Sequence, residues 1–168
     1  MNLRLSQLAL VVSCALYMVF VVFNNLTDYG SNFLLVQHVL AMDTTFPGNS
    51  GLWRAINSSV IHHAFYASVI GWETACAVLL VLGSARLWST RDAAAAAWCA
   101  AKKSANAGLT LGLLLWFLAF ITVGGEWFLM WQSSKWNGLG PALRMFTVMG
   151  FVLLLLNLPE DRVTVEKS

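Results

Sequence analysis

Long apolar runs separated by shorter polar segments dominate the chain, and four of these runs predict membrane-spanning helices. The clearest is residues 5–23, which contains no charged side chain. About 20 apolar residues, each rising about 1.5 Å along a helix, cross a hydrocarbon core of about 30 Å. We predict the other three spans at residues 59–82, 105–127 and 141–158.

The segments between the predicted spans differ in length and character. Residues 24–58 form a long external loop, in which apolar side chains recur at roughly helical spacing from Asn32 to Met42. This periodicity predicts a short helix that lies on the membrane surface or across the mouth of the bundle. Residues 83–104 form a loop on the opposite side, where an alanine-rich stretch predicts a helix that leads into the third span.

The composition supports a membrane protein and excludes two other classes. Hydrophobic residues make up 58% of the 168-residue chain and charged residues 11%, whereas a soluble domain is about 25% charged. So few charges cannot cover a water-exposed surface, and disordered chains have the opposite bias. We therefore predict one all-α domain over residues 1–168, a four-helix transmembrane bundle in contact with the lipid bilayer. The net charge of +2 is too small and too dispersed to indicate a nucleic-acid partner.

Basic side chains distribute unequally between the two sides of a four-span arrangement. Seven fall on the side of the chain termini and three on the other side: Arg4, Arg86, Arg91, Lys102, Lys103, Arg162 and Lys167 against Arg54, Lys135 and Arg144. In membrane proteins the cytoplasmic segments carry the excess of Lys and Arg. The distribution therefore predicts that both termini and residues 83–104 lie in the cytoplasm.

Glu73 is the one carboxylate near the middle of a predicted span, and it supports two interpretations. Ionisable side chains inside a membrane are costly and commonly mark functional paths, yet no basic residue of another span lies at a comparable depth. Residues seven or eleven positions apart fall within about 20° of each other on a helix, so His62, Tyr66 and Glu73 share one face. This polar face is either a proton or cation path or a set of hydrogen-bonding groups that hold the helices together.

Other polar side chains are predicted at the outer rim of the bundle. Four of them are of the types that bind zinc, copper or iron: His38, His62, His63 and Asp43. The two adjacent histidines point about 100° apart on a helix, which disfavours a shared metal ion, and we predict no cofactor. Glu126 and Arg144 are candidates for an ion pair at the same rim.

Small residues recur at every fourth position along the helix that leads into the third span: Ala100, Ser104, Gly108 and Gly112. We call these four residues the small-residue stripe. Such a pattern lets another helix approach closely. It predicts either packing within the bundle or a transmembrane seam that binds a protein partner or a second copy of the chain.

Five segments of the sequence are distinctive: NNLTDYGSN at residues 24–32, QHVLAMDT at 37–44, WRAI at 53–56, WE at 72–73 and GEWFLMWQSS at 125–134. They resemble segments of a bacterial family of predicted small integral membrane proteins of unknown function. The resemblance covers nearly the whole chain and implies a four-span protein of the bacterial inner membrane. It implies no catalytic or ligand-binding residue.

The sequence indicates no enzymatic activity, because it contains no nucleophile motif and no phosphate-binding glycine loop. The leading hypothesis is therefore an accessory or scaffolding subunit of a membrane complex. The alternative is a small proton- or cation-coupled transport element that uses His62, Tyr66 and Glu73. A third hypothesis is a metal-binding protein at the outer membrane face.

Overall fold

Four long apolar helices and one shorter helix make up the fold of the described residues, 3–158 of the computed structural model. The helices are α1 (Leu3–Thr27), α2 (Tyr29–Ala41), α3 (Ser59–Thr90), α4 (Ala95–Leu114) and α5 (Leu139–Leu156). A π-helical segment, Leu115–Trp127, continues α4. Short 3₁₀ turns lie at Leu52–Arg54 and Met130–Gln132.

The long helices form an up-and-down bundle, as the sequence predicts. Each of α1, α3, α4 with its π-helical segment, and α5 is long and apolar enough to cross a membrane. Helix α3 packs between α1 and α4, and α5 packs against α4 and α1. We call the end near Leu3 and the α3–α4 turn the terminal end, and the end near α2 the cap end. The prediction of an all-α, four-helix transmembrane bundle is confirmed.

The helices begin and end at residues that differ from those of the predicted spans. The second span was predicted to end at residue 82, whereas α3 continues to Thr90. Helix α4 begins at Ala95, in the alanine-rich stretch that the sequence predicts as a helix leading into the third span. An alanine-rich sequence favours a helix whether it lies inside or outside the membrane. Helix α1 likewise continues past residue 23 to Thr27.

The terminal end brings together basic side chains that the sequence analysis placed on one side. The Arg4 guanidinium donates hydrogen bonds to the carbonyl oxygens of Arg91 at 3.1 Å and Ala93 at 2.5 Å. These bonds tie the start of α1 to the turn between α3 and α4. Arg162 and Lys167, predicted on the same side, lie outside the described residues.

Helix α2 is the short helix that the sequence predicts in the first loop. It begins at Tyr29 rather than Asn32 and ends at Ala41. Met42 follows in the left-handed conformation, with φ of 52°, and its N–H donates to the carbonyl oxygen of Val39. That backbone conformation ends the helix, and burial of the Met42 side chain among apolar neighbours favours it in spite of the local strain.

A folded cap covers the bundle at the α2 end. We define the cap as residues 28–58 and 128–138. Its small apolar core contains Leu40, Met42 and Phe128. Gln132 joins the two segments, because its Oε1 accepts hydrogen bonds from the backbone N–H of Phe46 at 3.0 Å and from Nδ2 of Asn49 at 3.1 Å.

The small-residue stripe packs mainly inside the bundle. Ser104, Gly108 and Gly112 are buried, whereas Ala100 is exposed. A Cβ added to Gly108 would lie 2.8 Å from Cγ of Leu80 in α3, and one added to Gly112 would overlap a methionine of α5. The three buried residues therefore serve internal packing and are not available for a seam with another chain.

Gly83 lies at a close approach of α3 to α4 and provides a test of this packing. An added Cβ would lie 2.6 Å from the backbone nitrogen and 2.8 Å from Cα of Ala105. The α4 backbone cannot move aside as a flexible side chain can. We therefore expect Gly83→Ala to lower the free energy of unfolding by about 1–3 kcal/mol, measured by unfolding the detergent-solubilised protein with sodium dodecyl sulfate.

Gly71→Ala is the matched control in the same helix, since no atom lies within 4 Å of a Cβ at that position. It should leave the free energy of unfolding unchanged or raise it by up to about 1 kcal/mol, because alanine favours helix over glycine. Equal losses in the two variants would contradict the close contact between α3 and α4.

Candidate functional site

Glu73 lies in a buried cluster of three hydrogen-bonded side chains. Only 2% of Glu73 is exposed. Nδ2 of Asn25 donates to Oε2 of Glu73 at 2.6 Å, and Oδ1 of Asn25 accepts from the Tyr66 hydroxyl at 3.1 Å. One amide of α1 thus bonds both a carboxyl group and a phenol of α3. We call Asn25, Tyr66 and Glu73 the Glu73 cluster.

Asn25 is the partner of Glu73 that the sequence analysis missed. The first span was predicted to end at residue 23, which assigned Asn25 to the external loop. Helix α1 in fact continues to Thr27 and holds the amide against α3. The available signal was the pair of asparagines that follows the apolar run, where one more helical turn keeps one of the two side chains within the bundle.

The Glu73 cluster lies toward the cap end of α1, because Asn25 belongs to the last turn of that helix. Along α3 (Ser59–Thr90), Glu73 lies close to the middle of the helix. Its position at the middle of the membrane stays a prediction from the sequence.

His62 does not join the Glu73 cluster, although it is buried and lies on the same side of α3. Its Nε2 lies 2.7 Å from the carbonyl oxygen of Ile56 and donates to it. The N–H of Ile56 in turn donates to the carbonyl oxygen of Leu40 at 2.8 Å. Through Ile56, His62 therefore connects the start of α3 to the end of α2. The predicted proton or cation path of His62, Tyr66 and Glu73 is not continuous, because His62 bonds to the loop and the other two residues bond to Asn25.

Aromatic rings cover the cap side of Tyr66. The ring of His63 stacks on Phe33 with centroids 4.1 Å apart, and its Nδ1 lies 2.8 Å from the Tyr29 hydroxyl. The Tyr29 ring lies 4.7 Å from that of Tyr66. Tyr66 is only 2% exposed as a result, so packed rings separate the Glu73 cluster from the cap surface.

The candidate metal ligands do not converge on one position. Nδ1 of His38 lies 2.8 Å from a carboxylate oxygen of Asp43, and the His38 ring stacks on Trp136 at 4.5 Å. His62 and His63 have the separate partners described above. Among residues 3–158, no group of three or more His, Cys, Asp or Glu side chains could hold a metal ion. The geometry gives the metal-binding hypothesis no support.

Glu126 and Arg144 do not form the predicted ion pair. Both side chains are exposed, and neither takes part in an ion pair within the described part of the chain. Arg144 instead lines a groove between α1 and α5 together with Tyr17. Tyr17 had no role in the sequence analysis, because its proximity to α5 depends on how the helices pack.

Apolar packing separates the Glu73 cluster from the terminal end. Cys76 and Leu80 follow Glu73 by about one and two turns of α3, and both are fully buried. Val11 and Met18 of α1 are also fully buried in this core. The cluster can hold a proton and bond α1 to α3, but no chain of hydrogen-bonded side chains links it to the terminal end within residues 3–158.

The Glu73 cluster predicts a stability effect that is centred on Asn25. We expect Asn25→Leu to lower the free energy of unfolding in detergent by about 1–3 kcal/mol, because it leaves a buried carboxyl group and a buried phenol without their partner. In a double-mutant cycle, Tyr66→Phe should cost less in the Asn25→Leu background than in the wild type, since the bond it removes is already absent.

Asn24→Leu is the matched control, because Asn24 is an exposed neighbour of the same residue type with no side-chain hydrogen bond in the described structure. This variant should remain close to the wild type in stability. A loss at Asn24 as large as that at Asn25 would show that the amide bonds of the cluster do not stabilise the fold.

Comparison with known proteins places the chain in a family. A family model described as "Predicted small integral membrane protein (DUF2165)" matches residues 3–159. This description agrees with the resemblance found in the sequence and with the four apolar helices of the bundle. No curated protein and no solved structure matches the chain. Because the match extends over nearly its whole length, the chain belongs to this family of predicted small integral membrane proteins.

Proposed function

We propose that the protein is a non-enzymatic accessory or scaffolding subunit of a membrane complex in the bacterial inner membrane. The observation that carries the proposal is the closed interior of the bundle. Asn25 of α1 bonds to Glu73 of α3, Trp72 of α3 bonds to the Leu111 carbonyl oxygen of α4, and apolar side chains fill the space between the helices. A bundle without an open interior acts through its surface, and we propose no cofactor for it.

Polar contacts near the terminal end support this interpretation. Nε2 of Gln7 in α1 donates to the carbonyl oxygen of Leu155 in α5 at 2.9 Å. Asn106 and Asn157 exchange two amide hydrogen bonds of 3.0 Å between α4 and the end of α5. These groups join helices in pairs, which is the role of structural polar residues in membrane bundles.

The cap is the surface best suited to a protein partner. Trp53 is 76% exposed and meets Trp127 edge-on at 5.8 Å. The Arg54 guanidinium lies over the Trp127 ring at 5.4 Å. Trp and Arg are the residue types that contribute most to protein interfaces. Because the small-residue stripe is used internally, we assign the partner contact to this Trp-Arg face, defined as Trp53, Arg54 and Trp127.

The charge distribution supports an orientation for this subunit. Basic residues gather at the terminal end, and cytoplasmic segments are enriched in them. We therefore propose that the termini lie in the cytoplasm and that the cap faces the opposite side. The partner would then contact the protein outside the cytoplasm.

Photo-crosslinking in native membranes tests the proposed contact. A photoreactive phenylalanine analogue replaces Trp53 in one variant and Phe151 in the other. Phe151 is also a large exposed side chain, 61% exposed, but it lies on α5 away from the cap. We expect a discrete protein adduct from position 53 and none from position 151. A monomeric mass after gentle solubilisation, with no adduct from position 53, would overturn the proposal.

A small proton- or cation-coupled transport element is a second candidate, and the Glu73 cluster is the observation that favours it. A buried carboxyl group that bonds to an amide can exchange a proton or bind a cation. The apolar layer between the cluster and the terminal end argues against a complete path. Transport would require that layer to open.

Flux measurements in liposomes separate the two candidates. A transport element should move protons or monovalent cations down an imposed gradient, detected with an internal pH-sensitive dye or a cation indicator. Glu73→Gln should abolish that flux, because the amide keeps the hydrogen-bonding shape but cannot ionise. Flux equal to that of empty liposomes, or equal flux in the wild type and Glu73→Gln, would eliminate this candidate.

A further inference from the structure

A groove between α1 and α5 contains an arginine without a protein counter-charge. The groove has a volume of about 610 Å³ and is lined by Tyr17 of α1 and by residues of α5 that include Gly140, Pro141, Arg144 and Val148. Its walls are mostly apolar. Arg144 supplies the one formal charge among the lining residues.

Arg144 lies within a helix that is barely long enough to cross the membrane. Helix α5 has 18 residues, which gives a length of about 27 Å against a hydrocarbon core of about 30 Å. Arg144 follows Leu139, the first residue of α5, by about 7.5 Å along the helix axis. The helix backbone thus carries Arg144 to the edge of the hydrocarbon or below it, and the guanidinium reaches the head-group region only by extending toward the cap end.

No protein group in the described structure compensates this charge. Arg144 has no ion pair, and the carboxyl group of Glu73 bonds to Asn25. An arginine at this depth is costly unless it is paired. The Arg144 side chain is exposed, so an anion from outside the described chain can reach it.

We propose that Arg144 and Tyr17 bind the phosphate of an anionic phospholipid whose acyl chains lie in the groove. A guanidinium donates two parallel hydrogen bonds to a phosphate, and the Tyr17 hydroxyl provides a third donor. Arg144 and Tyr17 thus match the phosphate of a lipid, and the apolar walls of the groove match its acyl chains. The lipid belongs to the leaflet on the cap side.

The surroundings of the groove favour a lipid over a segment of another protein. Large apolar side chains on both flanking helices are exposed: Phe20 on α1 and Phe151 and Leu154 on α5. Phe151 and Leu154 of α5 continue the apolar surface from the groove toward the terminal end, whereas Phe20 of α1 lies on the cap side of Tyr17. An acyl chain that leaves the phosphate follows the same direction, from the head-group region into the hydrocarbon.

Native mass spectrometry of the delipidated full-length protein tests this site. The probes are phosphatidylglycerol and phosphatidylcholine with identical acyl chains. We expect one phosphatidylglycerol to bind the wild type about tenfold more tightly than phosphatidylcholine. Both lipids carry a phosphate, but the positive choline group of phosphatidylcholine cancels its charge and repels the guanidinium. Arg144→Gln should abolish this preference, and Arg144→Lys should retain part of it because the charge remains. Tyr17→Phe should weaken phosphatidylglycerol binding by a smaller factor.

Arg54→Gln is the matched control, because Arg54 is a cap arginine that stacks near Trp127 and does not line the groove. It should bind phosphatidylglycerol as the wild type does. Equal affinity for the two lipids, an unchanged preference in Arg144→Gln, or an equal loss in Arg54→Gln would overturn the proposal. Displacement of the lipid by millimolar inorganic phosphate would also overturn it, since the acyl chains would then contribute nothing.

Discussion

Inside a hydrocarbon core no water satisfies a polar group, so each polar side chain in a span needs a partner from the protein or from the lipid. This constraint accounts for the cross-helix contacts of the bundle. Asn25 bonds Glu73 and Tyr66 across α1 and α3, and Nε1 of Trp72 donates to the carbonyl oxygen of Leu111 at 3.1 Å between α3 and α4. The hydrogen bonds that satisfy these buried polar groups therefore also hold the helices in position against one another.

The spans and the helical first loop could be predicted because hydropathy and periodicity are local properties of a sequence. The run at residues 5–23 is apolar whatever its neighbours are, and the spacing around Leu40 is helical before any tertiary contact forms. The ends of α1 and α3 were placed less well. Hydropathy marks only the part of a helix that lies in hydrocarbon. Beyond that edge a helix continues when a neighbouring helix packs against it, and this packing cannot be read from the sequence of one segment.

The Glu73 cluster could be predicted only in part, because the identity of a partner depends on the relative heights of two helices. Sequence identifies Glu73 as an exception in an apolar span, and helical spacing places Tyr66 near it. The height of α1 against α3 follows from contacts far away, such as that of Arg4 with the carbonyl oxygens near the α3–α4 turn. His62 shows the same limit, since its bond to Ile56 depends on how the preceding loop folds back.

Glu73 and Arg144 represent the two available solutions for a charged residue in a span. Glu73 is turned inward, where Asn25 bonds it and thereby joins α1 to α3. Arg144 is turned outward into the groove beside Tyr17. Neither charge takes part in an ion pair within the described part of the chain. The carboxyl group of Glu73 has its amide partner inside the bundle, whereas Arg144 is exposed at the bundle surface, where the proposed lipid phosphate would be its partner.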